Sequence, residues 1–263
     1  MQWEQVRLAA RSLGVPQGSL LGPLLFNIFV NYANHSAGFS SLRLYADDTT
    51  QYVFHECPAL LESILNRDIK KLSNWFSANY LQVNATQSMT LDSSQHSYNF
   101  LVDDMSIVIE PTLKILGVTL DRDLTFKFHV TIMLKKAYAM IAALRRIKRL
   151  APSNTMISLY KAYVLPHVKY CSPLLLGISR SLKNYIERAN HYAIKSLLNL
   201  DNSATYDLCL AMTTMDTLKQ RHIVQSLILF FNCFRLNGPN YISQFFTPRI
   251  TNYNLRDNGL NVV

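Results

Sequence analysis

The sequence has little cysteine, and its four cysteines are widely scattered: Cys57, Cys171, Cys209 and Cys233. None of them shows the short paired spacing of a zinc site. Their scatter also argues against a small secreted domain that is held together by disulfides. The pattern indicates free thiols in a reducing compartment.

Long apolar runs are absent as well. No stretch approaches the roughly 18 uninterrupted apolar residues that a membrane-spanning helix needs. The first residues include Glu4, Arg7 and Arg11 rather than the apolar core of a signal peptide. The sequence also contains no repeat of fixed period and no low-complexity linker. With 49% hydrophobic residues among 263, it predicts a soluble intracellular protein with one large domain or two smaller ones.

Basic residues are the minority among the charges of the first half of the chain, and acidic residues are scarce in the second half. No lysine or arginine occurs between Lys71 and Lys114. Residues up to Phe126 include 8 basic and 12 acidic residues, a balance of −4, whereas the later residues include 18 and 5, a balance of +13. An acidic half joined to a basic half suits a protein that holds a metal ion and grips a polyanion. A generally basic surface is the alternative.

Two adjacent acids stand between two apolar stretches. Asp47 and Asp48 separate residues 39–44 from residues 49–54, a pattern that predicts a β-hairpin with both carboxylates at its tip. Two carboxylates about 4 Å apart repel by roughly 4 kcal/mol at an effective dielectric of about 20. A cation would remove this repulsion, and Mg²⁺ is usually held by one or two carboxylates together with substrate phosphates. A solvated Asp-Asp turn is the alternative.

A glycine-containing loop, Gly14-Val15-Pro16-Gln17-Gly18-Ser19, lies about thirty residues before the hairpin, and an apolar helical pattern follows it. Its glycines permit positive φ and a close backbone approach, and Pro16 stiffens the chain. Ser19 can cap the helix, although Gly22-Pro23 is an equally good helix start. Gln17 offers both a donor and an acceptor. A helix N-terminus favours an anion such as a triphosphate, and a plain turn before a buried helix is the alternative.

Periodicity predicts the remaining elements. Apolar residues recur every three or four positions after Pro58, which predicts an amphipathic helix of about five turns. Short strands are predicted at 81–83, 98–102 and 105–109. Between the last two, Asp103-Asp104 is predicted to be a hairpin turn and not a second metal site. Later helices are predicted from Val130 to about residue 149, and at 154–164, 181–200 and 218–236.

The first of these later helices has a predicted buried stripe: Val130, Met133, Ala137, Ile141, Leu144 and Ile147. It also has six cations and no acid across fifteen residues: Lys135, Lys136, Arg145, Arg146, Lys148 and Arg149. We expect this helix to line a nucleic-acid duplex, since phosphate contacts hold a protein in register without reading sequence. An ordinary cationic helix face is the alternative.

Together these segments resemble the reverse transcriptase domain of non-LTR retrotransposons, the jockey-like and related LINE-type elements of animals. GVPQGSLLGPLLFNIFVN resembles the palm motif that contacts template and nucleotide, and LRLYADDTTQY resembles the catalytic hairpin. Four further blocks resemble the following palm helix, the approach to the thumb and the C-terminal helices: LNRDIKKLSNWFSANYLQVN, LKILGVTLDRDLTFKFHV, LPHVKYCSPLLLG and ERANHYAIKSLLNL. The resemblance implies an α+β fold with a truncated palm of antiparallel sheet and packed helices (1–126), a helical thumb (127–200) and a truncated C-terminal helical extension (201–263).

The resemblance also implies an RNA-directed DNA polymerase that works by two-metal nucleotidyl transfer. Asp47 would be the principal ligand of two Mg²⁺ ions, or of Mn²⁺ in their place, with Asp48 supporting it. The residues implied in nucleotide or template binding are Pro16, Gln17, Gly18, Ser19 and Tyr45. Those implied in primer or duplex binding are Leu116, Gly117, Lys135, Arg145, Arg146, Lys148 and Arg149. The implied partners are an RNA template, a DNA primer and deoxynucleoside triphosphates, with no membrane, and the implied location is the nucleus and cytoplasm.

Two departures from the family pattern lead us to expect little or no activity from this chain alone. The family's first catalytic aspartate stands on a strand well before the loop, and residues 1–13 offer only Glu4 as an acid. The family's lysine after residues 81–84 corresponds here to Gln87, which brings no positive charge to the transition state. We therefore expect a fragment without fingers. The alternatives are a non-catalytic nucleic-acid-binding remnant and a helical interaction scaffold.

Overall fold

The computed structural model describes residues 18–84, 87–91, 96–201, 203–235 and 242. The chain divides into two compact units, residues 1–124 and residues 125–263. The fold is α+β, as the sequence predicts, with eight α-helices and three antiparallel pairs of short strands in the described ranges. In those ranges no helix is long and apolar enough to cross a bilayer.

The first unit contains two helices and all six described strands. Helix α1 (Gly22–Asn31) leads into a 3₁₀ helix (Tyr32–Ser36), and helix α2 spans Pro58–Ala78. The strand pairs are β1 (Ser41–Tyr45) with β2 (Asp48–Tyr52), β3 (Phe100–Val102) with β4 (Met105–Ile107), and β5 (Thr112–Ile115) with β6 (Val118–Asp121). Each pair is a separate two-stranded hairpin, so the described residues do not form the single sheet that a palm would contain.

The three hairpin turns rely on left-handed backbone conformations. φ is 51° at Ala46, and it is also positive at both residues of the Asp103-Asp104 and Leu116-Gly117 turns. Asp and Gly adopt this region readily, whereas for Ala46 it costs on the order of 1 kcal/mol. The predicted turn at Asp103-Asp104 is confirmed, and Asp103 accepts a hydrogen bond from the hydroxyl of Ser73 on α2.

Polar side chains of α2 hold the β3–β4 hairpin. The Asn66 Oδ1 accepts the backbone N–H of Leu101 at 2.9 Å, and its Nδ2 donates to the carbonyl of Asn99 at 2.8 Å. One turn earlier, the Glu62 Oε1 accepts the backbone N–H of Asn99 at 3.1 Å. A two-stranded hairpin is marginally stable by itself, so these bonds to the helix fix its position.

A buried carboxylate on the same helix holds the β1–β2 hairpin. Asp68 is 0% exposed, and its Oδ2 accepts the backbone N–H groups of Phe39 at 2.7 Å and Ser40 at 2.8 Å. Burial by itself raises the pKa of Asp68, but hydrogen bonds from Ser40, Phe39 and Arg67 outweigh it and hold that pKa below its ordinary value. A Cβ added to Gly38 would lie 2.6 Å from the Asp68 Oδ1, so the chain passes directly over the carboxylate.

Two expectations for the first unit are wrong. Most apolar residues of the predicted first helix are exposed rather than buried: Leu20, which is 99% exposed, precedes α1, and within α1 Gly22 and Val30 are the buried residues. Residues 81–83 are not a strand. The N–H of Leu81 instead donates to the carbonyl of Phe76 at 2.9 Å, which closes the end of α2.

The second unit is helical in its described part. Its α-helices are α3 (Lys127–Ile147), α4 (Ser153–Tyr163), α5 (Leu165–Lys169), α6 (Arg180–Leu197), α7 (Tyr206–Thr213) and α8 (Leu218–Arg235). A 3₁₀ helix (Ser172–Leu176) precedes α6. The predicted stripe of α3 is buried from Val130 to Leu144, and it shares one core with residues of the following helices as far as Leu218. Ile147 departs from the prediction, since it is the last residue of α3 and is exposed.

A hydrogen-bond network joins α6 to α7 and α8. Glu187 on α6 accepts the hydroxyl of Tyr206, and its carboxylate also accepts the N–H groups of Leu218 at 3.3 Å and Lys219 at 2.7 Å. These two N–H groups lie in the first turn of α8, so Glu187 caps that helix. The Asn190 Nδ2 donates to the Tyr206 oxygen at 2.6 Å. Burial is the main reason that the pKa of Tyr206 is raised, and its bond to Glu187 adds to the effect.

Candidate active site

The β1–β2 hairpin presents two neighbouring carboxylates at its tip, as predicted. Tyr45 pairs with Asp48 as the last rung of the hairpin, and Ala46 and Asp47 form the turn. Both aspartates are exposed, and neither makes a hydrogen bond or an ion pair within the described part of the chain. Among the described residues, nothing therefore occupies their four carboxylate oxygens.

The opposite end of this hairpin is anchored. Leu42 on β1 is buried against Ala33 and Leu72. The Gln51 Nε2 on β2 donates to the Ser40 hydroxyl at 2.7 Å, beside the backbone groups that Asp68 holds. Anchoring at one end and exposure at the other give a fixed support for an open, acidic tip.

The side chains of the tip fit a magnesium ion that shares its ligands with a substrate. Mg²⁺ prefers oxygen ligands, keeps several waters and is usually bound through one or two carboxylates plus substrate phosphates. Asp47 and Asp48 offer that donor set. Among the described residues there is no group of three or more His, Cys, Asp or Glu side chains that could enclose a metal by themselves. The tip therefore fits an open site and not a closed structural one.

The loop before α1 is described only from Gly18 onward. Gly18 has φ of 86°, and an added Cβ there would meet no atom within 4 Å, so the backbone conformation is what favours glycine. Helix α1 begins at Gly22 with Pro23 in its first turn, and the Ser19 hydroxyl accepts the Gly22 N–H at 2.9 Å. The start at Gly22 is confirmed, whereas the N-cap residue is Leu21, and Ser19 bonds to the first helical N–H from the loop before it. Pro16 and Gln17 lie outside the described residues.

A model of the family described as reverse transcriptase (RNA-dependent DNA polymerase) matches residues 1–120, which include both the loop and the hairpin. The RNA-directed DNA polymerase from mobile element jockey of Drosophila funebris is 28% identical over 176 residues, covering 60% of this chain and 19% of that protein. Its Drosophila melanogaster counterpart is 24% identical over 208 residues, covering 73% and 22%. Over residues 1–120 this chain is therefore similar to a jockey-like reverse transcriptase domain.

A third relative agrees with this assignment. The probable RNA-directed DNA polymerase from transposon BS of Drosophila melanogaster is 29% identical over 163 residues, covering 57% of this chain and 18% of that protein. The chain spans about a fifth of the length of the curated relatives it matches. No solved structure matches it. The family resemblance seen in the sequence is thus confirmed.

Two further predicted sites of the reverse transcriptase domain lie in the first unit. Leu116-Gly117 forms the β5–β6 turn and is exposed, a hairpin that the sequence pattern did not predict. Gln87, at the position of the family's lysine, is exposed as well. The roles of Leu116 and Gly117 in primer binding stay predictions.

The predicted duplex-binding cations fall into two groups. Arg145 donates to the Tyr192 hydroxyl at 2.7 Å, and the Lys148 Nζ donates to the carbonyl of Ser196 at 3.0 Å, so both are tied to α6. The other three are exposed and make no hydrogen bond or ion pair in the described structure: Lys135, Arg146 and Arg149. Contact of all five with a duplex stays a prediction.

Sequence reasoning missed the part of α6 that faces these cations. Arg188 and Tyr192 are one helical turn apart, and both are exposed beside α3. The available signal was the four-residue spacing of these two side chains within ERANHYAIK, which places them on one helix face. The sequence predicts a helix at 181–200, but it does not show which helix packs beside Tyr192.

Proposed function

We propose that this chain carries the metal-binding hairpin of an RNA-directed DNA polymerase, which extends a DNA primer along an RNA template from deoxynucleoside triphosphates. The observation that carries the proposal is a pair of exposed carboxylates, Asp47 and Asp48, which have no partner among the described residues and lie at the tip of an anchored hairpin. The three relatives reported above are named as RNA-directed DNA polymerases, one of them as probable, and they support it. The reaction is attack by a primer 3′-hydroxyl on the α-phosphate of the nucleotide, with release of pyrophosphate.

Each residue at the tip has a separate role in this proposal. Asp47 is the principal ligand of two divalent ions, and Asp48 supports it from the adjacent position. When bound, Mg²⁺, or Mn²⁺ in its place, makes the attacking oxygen more nucleophilic and stabilises the leaving oxygen. Tyr45 pairs with Asp48 across the hairpin and has an exposed ring, which suits packing beside the primer end.

The proposal assigns the first unit to a palm and the helices from α3 onward to a thumb and a C-terminal extension. Pro16, Gln17, Gly18 and Ser19 contact nucleotide or template, and Leu116-Gly117 seats the primer. The exposed cations of α3 hold duplex phosphates, an arrangement whose affinity falls as salt rises. The excess of cations in the second unit, without an acid on α3, supports this assignment.

Metal binding tests the proposal without depending on turnover. The full chain is mixed with a template–primer whose primer ends in a dideoxynucleotide, together with the next deoxynucleoside triphosphate, and free Mn²⁺ is measured by electron paramagnetic resonance. We expect Asp47→Asn to weaken Mn²⁺ binding by about tenfold or more, and Asp48→Asn to weaken it less. The chain itself provides a matched control, since Asp103-Asp104 is a second aspartate pair at a hairpin turn.

The control variant, Asp103→Asn with Asp104→Asn, should leave the Mn²⁺ titration unchanged. If the two aspartate pairs behaved alike, the metal would be responding to acidic turns in general, and the assignment of Asp47 would be wrong. Primer extension by the 263-residue chain is a second measurement, with little or no product expected. Extension that disappears in Asp47→Ala would contradict the expected inactivity while supporting the site.

A non-catalytic nucleic-acid-binding remnant is the second candidate. The exposed cations Lys135, Arg146 and Arg149, which have no partner among the described residues, favour it because binding needs only those groups. This candidate predicts template–primer affinity that is independent of Mn²⁺ and unaffected by Asp47→Asn. Replacing Arg146 and Arg149 with Gln should then weaken binding and reduce the salt dependence. The polymerase proposal predicts the same effect of those arginines, but also a contribution from Mn²⁺.

A further inference from the structure

Two exposed tyrosines and one arginine meet where α3 packs on α6, and a second arginine lies one helical turn away on α6. Tyr138 and Arg145 come from α3, and Arg188 and Tyr192 come from α6; we call these four residues the tyrosine-arginine surface. The rings of Tyr138 and Tyr192 lie 5.8 Å apart at 59°. The Arg145 guanidinium lies 6.0 Å from the centre of the Tyr192 ring and donates to its hydroxyl.

These rings remain accessible although they help to pack the two helices. Tyr138 is 42% exposed and Tyr192 is 40% exposed, so each side chain is partly accessible to solvent. A structural role accounts for the bond between Arg145 and Tyr192. It does not account for Arg188, which is exposed and makes no hydrogen bond or ion pair within the described residues.

The charge around the tyrosine-arginine surface has one sign. Helix α3 contains no acid, and Glu187 is the single acid of α6. The Glu187 carboxylate is occupied by the Tyr206 hydroxyl and by the first turn of α8, so it does not neutralise Arg188. Arg146 and Arg149 extend the cationic surface along α3 and beyond its end. A polyanion complements such a surface.

Exposed aromatic rings among cations favour single-stranded nucleic acid over a duplex. Unpaired bases stack on exposed aromatic rings while cations follow the backbone, and this arrangement tolerates any sequence. Duplex phosphates need the cations but not the rings. Since two rings are exposed here, we infer that the tyrosine-arginine surface binds a single-stranded segment of nucleic acid, with a base stacked on Tyr192 or Tyr138. This inference rests on the proposed function, because it assigns an unpaired stretch of the template or primer to the proposed thumb.

The dimensions agree with a short single strand. Lys135 and Arg146 are eleven positions apart on α3, which corresponds to about 16 Å at a rise of about 1.5 Å per residue. At about 3.4 Å per nucleotide, roughly five stacked nucleotides cover this length. Along α3, Lys135 and Arg146 bracket the interval that contains Tyr138 and Arg145.

The test compares bases with phosphates on the full chain. Fluorescence anisotropy is measured with a labelled oligothymidylate of about 12 nucleotides, with an abasic strand of equal length, and with a duplex. We expect Tyr192→Leu to weaken binding of the oligothymidylate by about tenfold and to leave the abasic strand within about twofold. Tyr192→Phe keeps the ring without the hydroxyl and should bind like the wild type. Tyr163→Leu is the matched control, since Tyr163 on α4 is 57% exposed and lies outside the tyrosine-arginine surface.

Each outcome decides the inference. If Tyr192→Leu weakened both strands equally, or if Tyr163→Leu had the same effect, stacking on this surface would be refuted. The proposed function would survive that result as long as duplex binding and its salt dependence persisted. If the wild-type chain bound no nucleic acid at moderate salt, both the inference and the proposed function would fail. Helical circular dichroism of each variant shows whether the fold is retained.

Discussion

Replacing Asp68 with alanine removes the one buried carboxylate that fixes the start of β1. The substitution leaves the N–H groups of Phe39 and Ser40 without their acceptor. Ser40 is buried, so leaving its N–H without an acceptor costs about 1–3 kcal/mol of folding free energy. The neighbouring Phe39 is exposed, so its N–H can bond to water at a smaller cost. We therefore expect the first unit to lose about 2–4 kcal/mol of its free energy of unfolding.

Urea denaturation followed by Trp75 fluorescence measures this loss. Trp75 packs beside the buried cluster that contains Leu42 and Leu72, and Trp3→Phe leaves it as the single tryptophan. Asp123→Ala is the control, because Asp123 is an exposed acid of the same unit with no partner among the described residues. It should change stability by no more than about 0.5 kcal/mol.

Acidification tests the same contact independently. The pKa of Asp68 is held below its ordinary value of 3.8, so the unfolded chain binds a proton more readily than the folded one. The stabilisation is therefore complete above about pH 4 and is lost as the pH falls through the folded pKa. The difference between wild type and Asp68→Asn should shrink over that range. Equal stability of wild type and Asp68→Ala at neutral pH would refute the reasoning.

Three more predictions concern packing, capping and pH. Gly38→Ala should destabilise the first unit by about 1–3 kcal/mol, because the added Cβ would lie 2.6 Å from the Asp68 carboxylate. The loss should be smaller when Asp68 is already alanine, and a double-mutant cycle of urea denaturations measures this coupling. Glu187→Gln should lower the thermal midpoint of the second unit by circular dichroism, since it weakens the cap of α8, whereas the exposed Asp216→Asn should not. Burial lowers the pKa of His129 and His222, so the second unit should lose stability as the pH falls below about 6.5; a flat urea midpoint between about pH 7.5 and 5.5 would contradict this.

The sequence predicted the elements whose local pattern and tertiary environment agree. The two apolar stretches around Asp47 and Asp48 predicted the β1–β2 hairpin, and the three- and four-residue period after Pro58 predicted α2. The turn at Asp103-Asp104 was also predicted correctly, because Asp tolerates left-handed backbone. These elements include the hairpin on which the candidate active site depends.

The elements that sequence reasoning missed depend on features that a local pattern does not contain. Leu116 adopts positive φ although leucine gives no such signal, so the β5–β6 hairpin was not predicted. The leucines of α1 have a buried pattern, but burial depends on what packs against them, and the described residues leave them exposed. Side-chain contacts between residues distant in sequence were not predicted either, such as the hydrogen bond from Arg145 on α3 to Tyr192 on α6.

No residue of helix α2 has a proposed chemical role, yet the helix holds two of the three described hairpins. Asp68 holds β1–β2, and Glu62, Asn66 and Ser73 hold β3–β4. Substitutions in the loops between these hairpins therefore leave the contacts of α2 in place. A substitution at any of the four positions removes a contact that supports a hairpin with an aspartate pair at its turn. Among the described contacts of these four residues, those of Asp68 are the ones that reach the start of the β1–β2 hairpin, so a substitution at Asp68 affects the support of Asp47 and Asp48.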